Sequence, residues 1–349
     1  MKVAIITDQH FGCRKNSKLF HDYFLQFYNN VFFPALKREN IKTVIDMGDT
    51  FDSRKGIDFA ALSWAKKHYY DRLREMGVTV ITVVGNHTAY YKNTNEVNAI
   101  DLLLREYENV KVISRPEELK VGNLKVLFVP WINQENEKET HDIIEKTPCK
   151  VAMGHLELRG FNANRFCVME HGYESKLFEK FKLVFSGHYH TRSQKENIRY
   201  LGNPYEIYWT DVDDDRGFHI FDTETLDLET INNPYKMFHK VFYEDTPHQT
   251  FDATKYEGKI VKLIVRKKSD NKQFDKFVDK LYTSNIAELK VVENTDFGGY
   301  FLESEVESLE SEDTMSILSR YIQEAEVDLD KSIIQGVMQE VYQEACEMV

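Results

Sequence analysis

Five short runs rich in valine and isoleucine, at residues 2–7, 42–47, 78–84, 150–153 and 182–185, constrain this chain most, because each stops at a cluster of polar residues. An apolar run of this length closed by turn-forming residues reads as a strand buried on both faces, the kind that builds parallel sheets. Helical stretches separate the first three runs. In one of them Phe20, Tyr23, Phe24, Phe27, Val31 and Phe32 recur at the spacing of a single helix face, which predicts a packing stripe. Strand and helix alternate early and more strands follow towards Asn233, so the expected architecture is an α/β core with a sheet-rich second half. Residues 1–235 are expected to form one domain.

After the turn at Asn232, Asn233 and Pro234, residues 259–265 and 288–293 read as strands flanking a helix at 273–282, a small βαβ module within residues 236–300. Residues 301–349 open with an acidic segment from Glu303 to Asp313. Two amphipathic helices follow, one carrying Met315, Leu318, Ile322 and Ala325, the other Ile333, Ile334, Val337, Met338, Val341, Tyr342 and Ala345. Helices this short are held by docking their apolar stripes, on their own domain or on a partner. The formal net charge is −12, unevenly spread: residues 1–200 carry 30 basic and 25 acidic groups, residues 301–349 carry 2 and 13. An acidic tail leaves room for a cationic groove elsewhere. No stretch reaches the roughly 20 apolar residues of a membrane helix and no secretory segment follows Met1, so a cytoplasmic protein without membrane association is expected. Four cysteines with no C-x-x-C spacing rule out a thiolate zinc site.

The clusters that close the five runs are Asp8-Gln9-His10, Gly48-Asp49-Thr50-Phe51-Asp52, Gly85-Asn86-His87, Gly154-His155 and Gly187-His188-Tyr189-His190. Imidazole, carboxylate and amide oxygen without thiolate make a donor set suited to Mn²⁺, Fe or Zn²⁺. Ligands of α/β sheets collect outside the carboxyl ends of the strands, where a glycine beside a ligand lets the backbone turn sharply. In Gly-His-Tyr-His, residues i and i+2 of an extended chain point the same way, which would present two imidazoles to one site. Gly-Asn-His alone is as often a turn as a ligand; the five clusters in this order point to a metal site.

The order D-x-H, G-D-x-x-D, G-N-H, G-H, G-H-x-H over residues 8–190 resembles the calcineurin-like metallophosphoesterase superfamily. Within it, Tyr200-Leu201-Gly202-Asn203-Pro204, the βαβ module and the C-terminal helices resemble the double-strand-break-repair nucleases, exonuclease subunits of the SbcD type. The resemblance implies a β-sandwich flanked by helices (1–235), a small DNA-binding capping domain (236–300) and partner-binding helices (301–349). It implies that Asp8, His10, Asp49 and His190 hold one Mn²⁺ and that Asp49, Asn86, His155 and His188 hold a second, Asp49 bridging, with Mg²⁺ a poorer substitute. His87 would protonate or stabilise the leaving oxygen, and Asp52 would orient His87 through its carboxylate or else cap a helix. Where the family carries an acidic residue after G-N-H this chain has Thr88. The implied activity is that of a DNA double-strand exonuclease and single-strand endonuclease in recombination and break repair. The implied partners are DNA, an SMC-like coiled-coil ATPase on the C-terminal helices, and a second copy of the chain through residues 63–74 and 97–107. This chain has no G-x-x-x-x-G-K-[ST], so any ATP dependence arrives in trans.

Substrate choice is read from the loops. Arg14 and Lys15, Arg54 and Lys55, Tyr90, Tyr91 and Lys92, and Arg192 follow the clusters closely, and Arg159 and Arg165 lie further along the fourth loop. Around a metal centre they would form a cationic, aromatic rim for a phosphate backbone; taken one by one they read equally as solvated surface. G-D-x-x-D runs on into Ser53-Arg54-Lys55 rather than the Arg-Gly of protein phosphatases. Two other readings stay open on the same residues: a nucleotide or small-molecule phosphoesterase, and a scaffold that tethers DNA.

Overall fold

The computed structural model describes residues 1–164, 167–268 and 270–293, together with Lys331 and Ile334. Apart from these two helical residues, the helices expected within residues 301–349 lie outside the described residues.

The five apolar runs are strands, shared between two six-stranded sheets. In the first, Lys2–Ile6, Thr43–Asp46, Thr79–Val83 and Val110–Ile113 run parallel, and Gly217–Asp222 with Leu228–Asn232 extend the other edge in antiparallel fashion. In the second, Ile198–Tyr200, Leu183–Gly187, Val151–His155 and Leu124–Val129 are parallel neighbours, bordered by antiparallel Ser193–Lys195 and Glu117–Val121. Alternation along each strand then sorts the core into layers. Val3, Ile5, Ile45, Met47 and Val83 of the first sheet pack with Val126, Phe128, Val151, Met153 and Phe185 of the second. Ala4, Ile6, Val44 and Val80 turn the other way onto helical Phe24, Phe27, Tyr28 and Tyr69, while Leu127, Val129, Ala152 and Val184 pack with Ile144 and Phe178 on the far side. The result is a helix-flanked α/β sandwich. Strands covered on both faces are why the runs are uninterrupted, each buried aliphatic contributing about 1.5–3 kcal/mol.

The aromatic stripe departs from a single α-helical face. Lys18–Phe27 and Phe33–Arg38 are α-helical, but Tyr28–Phe32 between them makes a π turn. The wider turn shifts the helical phase. Phe20, Tyr23, Phe24, Phe27 and Phe32 are buried as expected, Val31 is only half-buried, and Tyr28 points inward to donate its hydroxyl to Gln9. A second π turn, Lys66–Tyr70, interrupts the helix that begins at Phe59–Ala65 and buries Tyr69 and Tyr70.

Ile260–Val265, the helix Asn271–Tyr282 and Glu288–Glu293 form the expected βαβ unit, with Asp270 capping the helix on Lys272 and Gln273. A further strand, Phe238–Phe242, pairs in parallel with Ile260–Val265 and completes a three-stranded sheet. Its half-buried His239 and Lys240 give it no apolar run, which hid it in the sequence. Val261, Leu263, Val265, Phe274, Phe277 and Leu281 make a separate apolar cluster there. Buried Glu206 fastens the start of this unit: its Oε2 accepts from the backbone N–H of Met237 at 2.7 Å and of Phe238 at 3.0 Å. Among the described residues no helix is long and apolar enough to cross a membrane. Glu206→Ala orphans two buried donors and is expected to lower unfolding stability by about 2–5 kcal/mol in urea denaturation, with Glu206→Gln, which keeps an acceptor, losing less.

Candidate metal centre

Every expected metal ligand lies at or just beyond the carboxyl end of a strand, and four of them sit in a backbone region that side chains usually avoid. Asp8 (φ 52°), His10 (φ 47°), Asp49 (φ 49°) and His188 (φ 86°) are left-handed. Aspartate, asparagine and histidine tolerate this region best, at about 1–3 kcal/mol each when the surroundings impose it. What imposes it is a zipper between the first two loops: the N–H groups of Asp8, His10 and Phe11 donate to the carbonyls of Gly48, Asp49 and Thr50 at 2.8–2.9 Å. Two glycines make room. Gly48 has φ 106° and a Cβ there would lie 2.5 Å from His155 Nδ1; at Gly85 it would lie 2.2 Å from Asp49 Oδ1.

Two clusters of the expected ligands result, one of Asp8, His10 and His190 and one of Asp49, His155 and His188, and His10 groups as well with Asp52 and His87. In the first, His10 Nε2 and His190 Nε2 face each other at 3.0 Å. In the second, Asn86 Oδ1 is 2.9 Å from both His155 Nε2 and His188 Nδ1, and Asp49 Oδ2 is 3.1 Å from His155 Nε2. The backbone N–H of His87 donates to Asp49 Oδ1 at 2.8 Å, and that of His188 to the Asp8 carboxylate at 3.1 Å. The i, i+2 reading of Gly-His-Tyr-His does not hold, whereas the two ligand sets implied by the family resemblance keep these histidines apart, as they are here. His188 is left-handed rather than extended, so the i, i+2 rule for strands does not apply and the two rings go to different clusters.

Burial and mutual charge set the protonation states. Burial disfavours a charged His155, but the Asp49 charge and hydrogen bond more than offset it and raise the imidazole to about 9. Burial likewise opposes the Asp49 carboxylate, yet His155, then His87 and His10, hold it well below the usual range. Burial, then the charge on His155, lowers His188 to about 3; burial, then His10, pushes His190 far down as well. The convergence of two carboxylates, one amide oxygen and four ring nitrogens, with no thiolate, fits a pair of borderline-hard divalent cations.

The calcineurin-like phosphoesterase family matches residues 1–192, the segment that carries all of these ligands. The chain belongs to that family. It is a metal-dependent phosphoesterase. It is 31% identical over 316 residues to "Exonuclease subunit 1" of Enterobacteria phage T4, covering 89% of this chain and 90% of that protein. Among solved structures, an archaeal phosphodiesterase aligns at 14% identity and a TM-score of 0.35 over 67% of this chain and 100% of its own. The calcineurin-like phosphoesterase YfkN of Bacillus subtilis aligns at 10% and 0.36 over 66% of this chain and 88% of its own.

Around the phosphoesterase ligands the structure redistributes several expected roles. Asp52 does not orient His87 through its carboxylate: His87 Nδ1 is 2.6 Å from the Asp52 main-chain carbonyl, and the Asp52 carboxylate lies 3.1 Å from His10 Nδ1. Nor does it cap a helix, a place taken by Asp58. Thr88 is buried and closes the Gly85–Thr88 turn through its hydroxyl, accepting from Gly85 N at 3.1 Å and donating to Gly85 O at 3.0 Å. Of the residues expected to form a rim, Arg14, Lys15, Lys55, Tyr90, Tyr91 and Lys92 are exposed, Tyr90 and Tyr91 edge to face at 4.8 Å. Arg54 is half-buried 5.0 Å from the Trp131 ring, Arg159 pairs with Glu174 at 3.4 Å, and Arg192 is half-buried and bonded to Asn232 at 2.7 Å. Arg165 lies outside the described residues.

Other supporting side chains had no sequence signal. Asp46, raised to about 7 by burial, accepts from Gln9 at 2.8 Å and Thr50 at 2.7 Å, which fixes the turn between Asp8 and His10. Buried Arg216 pairs with Asp211 at 3.2 Å and Asp214 at 2.9 Å and donates to the carbonyl of His190. An ion must displace the proton that His155 carries below about pH 9. Divalent-cation binding is therefore expected to release at least one proton near pH 7, since against its burial His10 is also raised by Asp52, Asp49 and Asp8, and to tighten at least about tenfold per pH unit up to about 9, as read by calorimetry in buffers of differing ionisation enthalpy.

Proposed function

We propose that this chain is a Mn²⁺-dependent DNA nuclease, a double-strand exonuclease and single-strand endonuclease, that works with an SMC-like ATPase in recombination and double-strand-break repair. The observation that carries the proposal is the 31% identity, over nine-tenths of both chains, to a phage exonuclease subunit, in a chain that itself belongs to the calcineurin-like phosphoesterase family. Asp8, His10, Asp49 and His190 would hold one ion and Asp49, Asn86, His155 and His188 the other, with Mg²⁺ a weaker substitute. Two cations so held would acidify a bound water and neutralise charge on the phosphoryl oxygens. The chain's own part in the chemistry falls to His87. Its Nδ1–H donates to the Asp52 carbonyl, so the Nε2 proton of the imidazolium form is the one that would pass to the leaving oxygen, the ring then staying neutral with Nδ1–H in place. The exposed cations and paired tyrosines on the loops supply a surface for the phosphate backbone and for frayed bases.

A subunit name in the relative supports a complex. Residues 301–349 are the proposed ATPase-binding segment, residues 236–300 a DNA-binding cap and residues 1–235 the nuclease domain. A homodimer through residues 63–74 and 97–107 is supported by neighbouring apolar side chains left in solvent, Phe59 at 89% and Leu102 at 56% exposure. With a phage relative and no membrane-spanning helix among the described residues, the host cytoplasm is the proposed location.

Purified chain in Mn²⁺ is expected to trim end-labelled linear duplex DNA. Asp49→Asn is expected to abolish trimming, and His87→Asn to lower kcat by about 10²–10⁴-fold with metal binding retained. Turnover of a small phosphoester with no DNA cleavage, alone or with the ATPase, would sink the nuclease reading. Deleting residues 305–349 is expected to leave metal-dependent cleavage and abolish stable ATPase association; an undiminished complex on a sizing column refutes that part.

A further inference from the structure

One aromatic side chain at the metal centre has no role in the reading above. Tyr208 lies on the segment after the last strand of the second sheet, where nothing in the sequence marks it. Its ring is parallel to the ligand His190, with centroids 6.2 Å apart and planes 16° apart, and it remains 40% exposed. A tyrosine that served only to pack His190 would be expected to be covered, as Tyr205 three residues earlier is.

The ring is held by two independent devices. Its backbone N–H donates to Asp211 Oδ2 at 2.9 Å, and Asp211 is in turn paired with buried Arg216 at 3.2 Å. The Arg14 guanidinium lies 5.2 Å from the Tyr208 centroid, anchored by Nε donating to the Ile207 carbonyl at 2.8 Å. Arg14, Lys15 and Asn16 are three successive left-handed residues (φ 55°, 56° and 58°). Each costs about 1–2 kcal/mol, and such runs are avoided by ordinary chains. Strain of this kind marks places where geometry is imposed for a purpose, and here it brings Arg14 up to Tyr208.

Ring contacts run in succession from His87 to His10 (4.9 Å), from His10 to His190 (4.9 Å), and on to Tyr208. The leaving oxygen belongs at the His87 end, so Tyr208 falls to the nucleoside that keeps the phosphate. We propose that Tyr208, braced by Arg14, is the plate on which the base of that nucleoside stacks, making it a specificity residue for nucleoside phosphoesters. The assignment takes from the functional proposal only the role of His87 and a nucleoside phosphodiester as substrate.

The test compares thymidine 5′-(4-nitrophenyl phosphate) with methyl 4-nitrophenyl phosphate in Mn²⁺. The two esters share a leaving group and differ only in the nucleoside. The unaltered chain is expected to prefer the thymidine ester in kcat/KM. Tyr208→Ala is expected to remove about 5- to 150-fold of that preference, the span of one base–aromatic stack, through KM, while Tyr208→Phe keeps it. An unchanged ratio in Tyr208→Ala, or an equal fall on both esters as loss of support for His190 would give, overturns the proposal, as does absence of the preference in the unaltered chain. DNA left uncut while the Tyr208-dependent preference persists would sink the nuclease reading alone.

Discussion

Asp49 and His155, a buried carboxylate and imidazole 3.1 Å apart, set the terms for much of the surrounding structure. A charged pair taken out of water is stable only if its remaining hydrogen-bonding capacity is met. Asp49 meets it with the His87 N–H, and His155 with the Met47 carbonyl at 2.9 Å. Meeting it brings together the ends of strands from both sheets. The loop after Thr43–Asp46 supplies Asp49, the loop after Thr79–Val83 supplies His87, and the strand Val151–His155 of the second sheet supplies the imidazole. The sandwich interior between the sheets is what brings these ends to one edge.

That same crowding explains why the site is built from unusual backbone. Ligands from the carboxyl ends of five strands must converge within a few ångströms, and regular strand geometry would send successive side chains to opposite faces. Left-handed Asp8, His10, Asp49 and His188 solve the problem at a local cost that the loop-to-loop zipper and buried Asp46 absorb. Glycines 48 and 85 are the counterpart: at both positions any side chain would occupy the space of a ligand.

Much of this was legible in the sequence. The five strands, the clusters that end them and the βαβ unit follow from local patterns, since alternation, run length and turn residues are properties of neighbours along the chain. The π turns were not legible, because the inward swing of Tyr28 is decided by Gln9, which lies across the fold. Arg216 is similar: nothing adjacent marks it as the buried donor to the His190 carbonyl, and its partners Asp211, Asp214 and Asn203 acquire meaning only together. The misjudged contact of Asp52 has the same origin. Which of its oxygens meets His87 depends on the path of the loop, and the main-chain carbonyl arrives first while the carboxylate turns to His10.

The sequence by itself determined the chemistry available to this protein: the donor types, their order, the absence of thiolate, and a family whose reactions those donors serve. Only the tertiary structure decided the left-handed backbone that carries the donors, the protonation that burial and mutual charge impose on them, and the rings that border them. The physical reason is one of range. Donor identity is a property of single residues and strand formation one of short segments, whereas loop path, burial and ring stacking depend on loops far apart in the chain that meet only when two sheets close on each other.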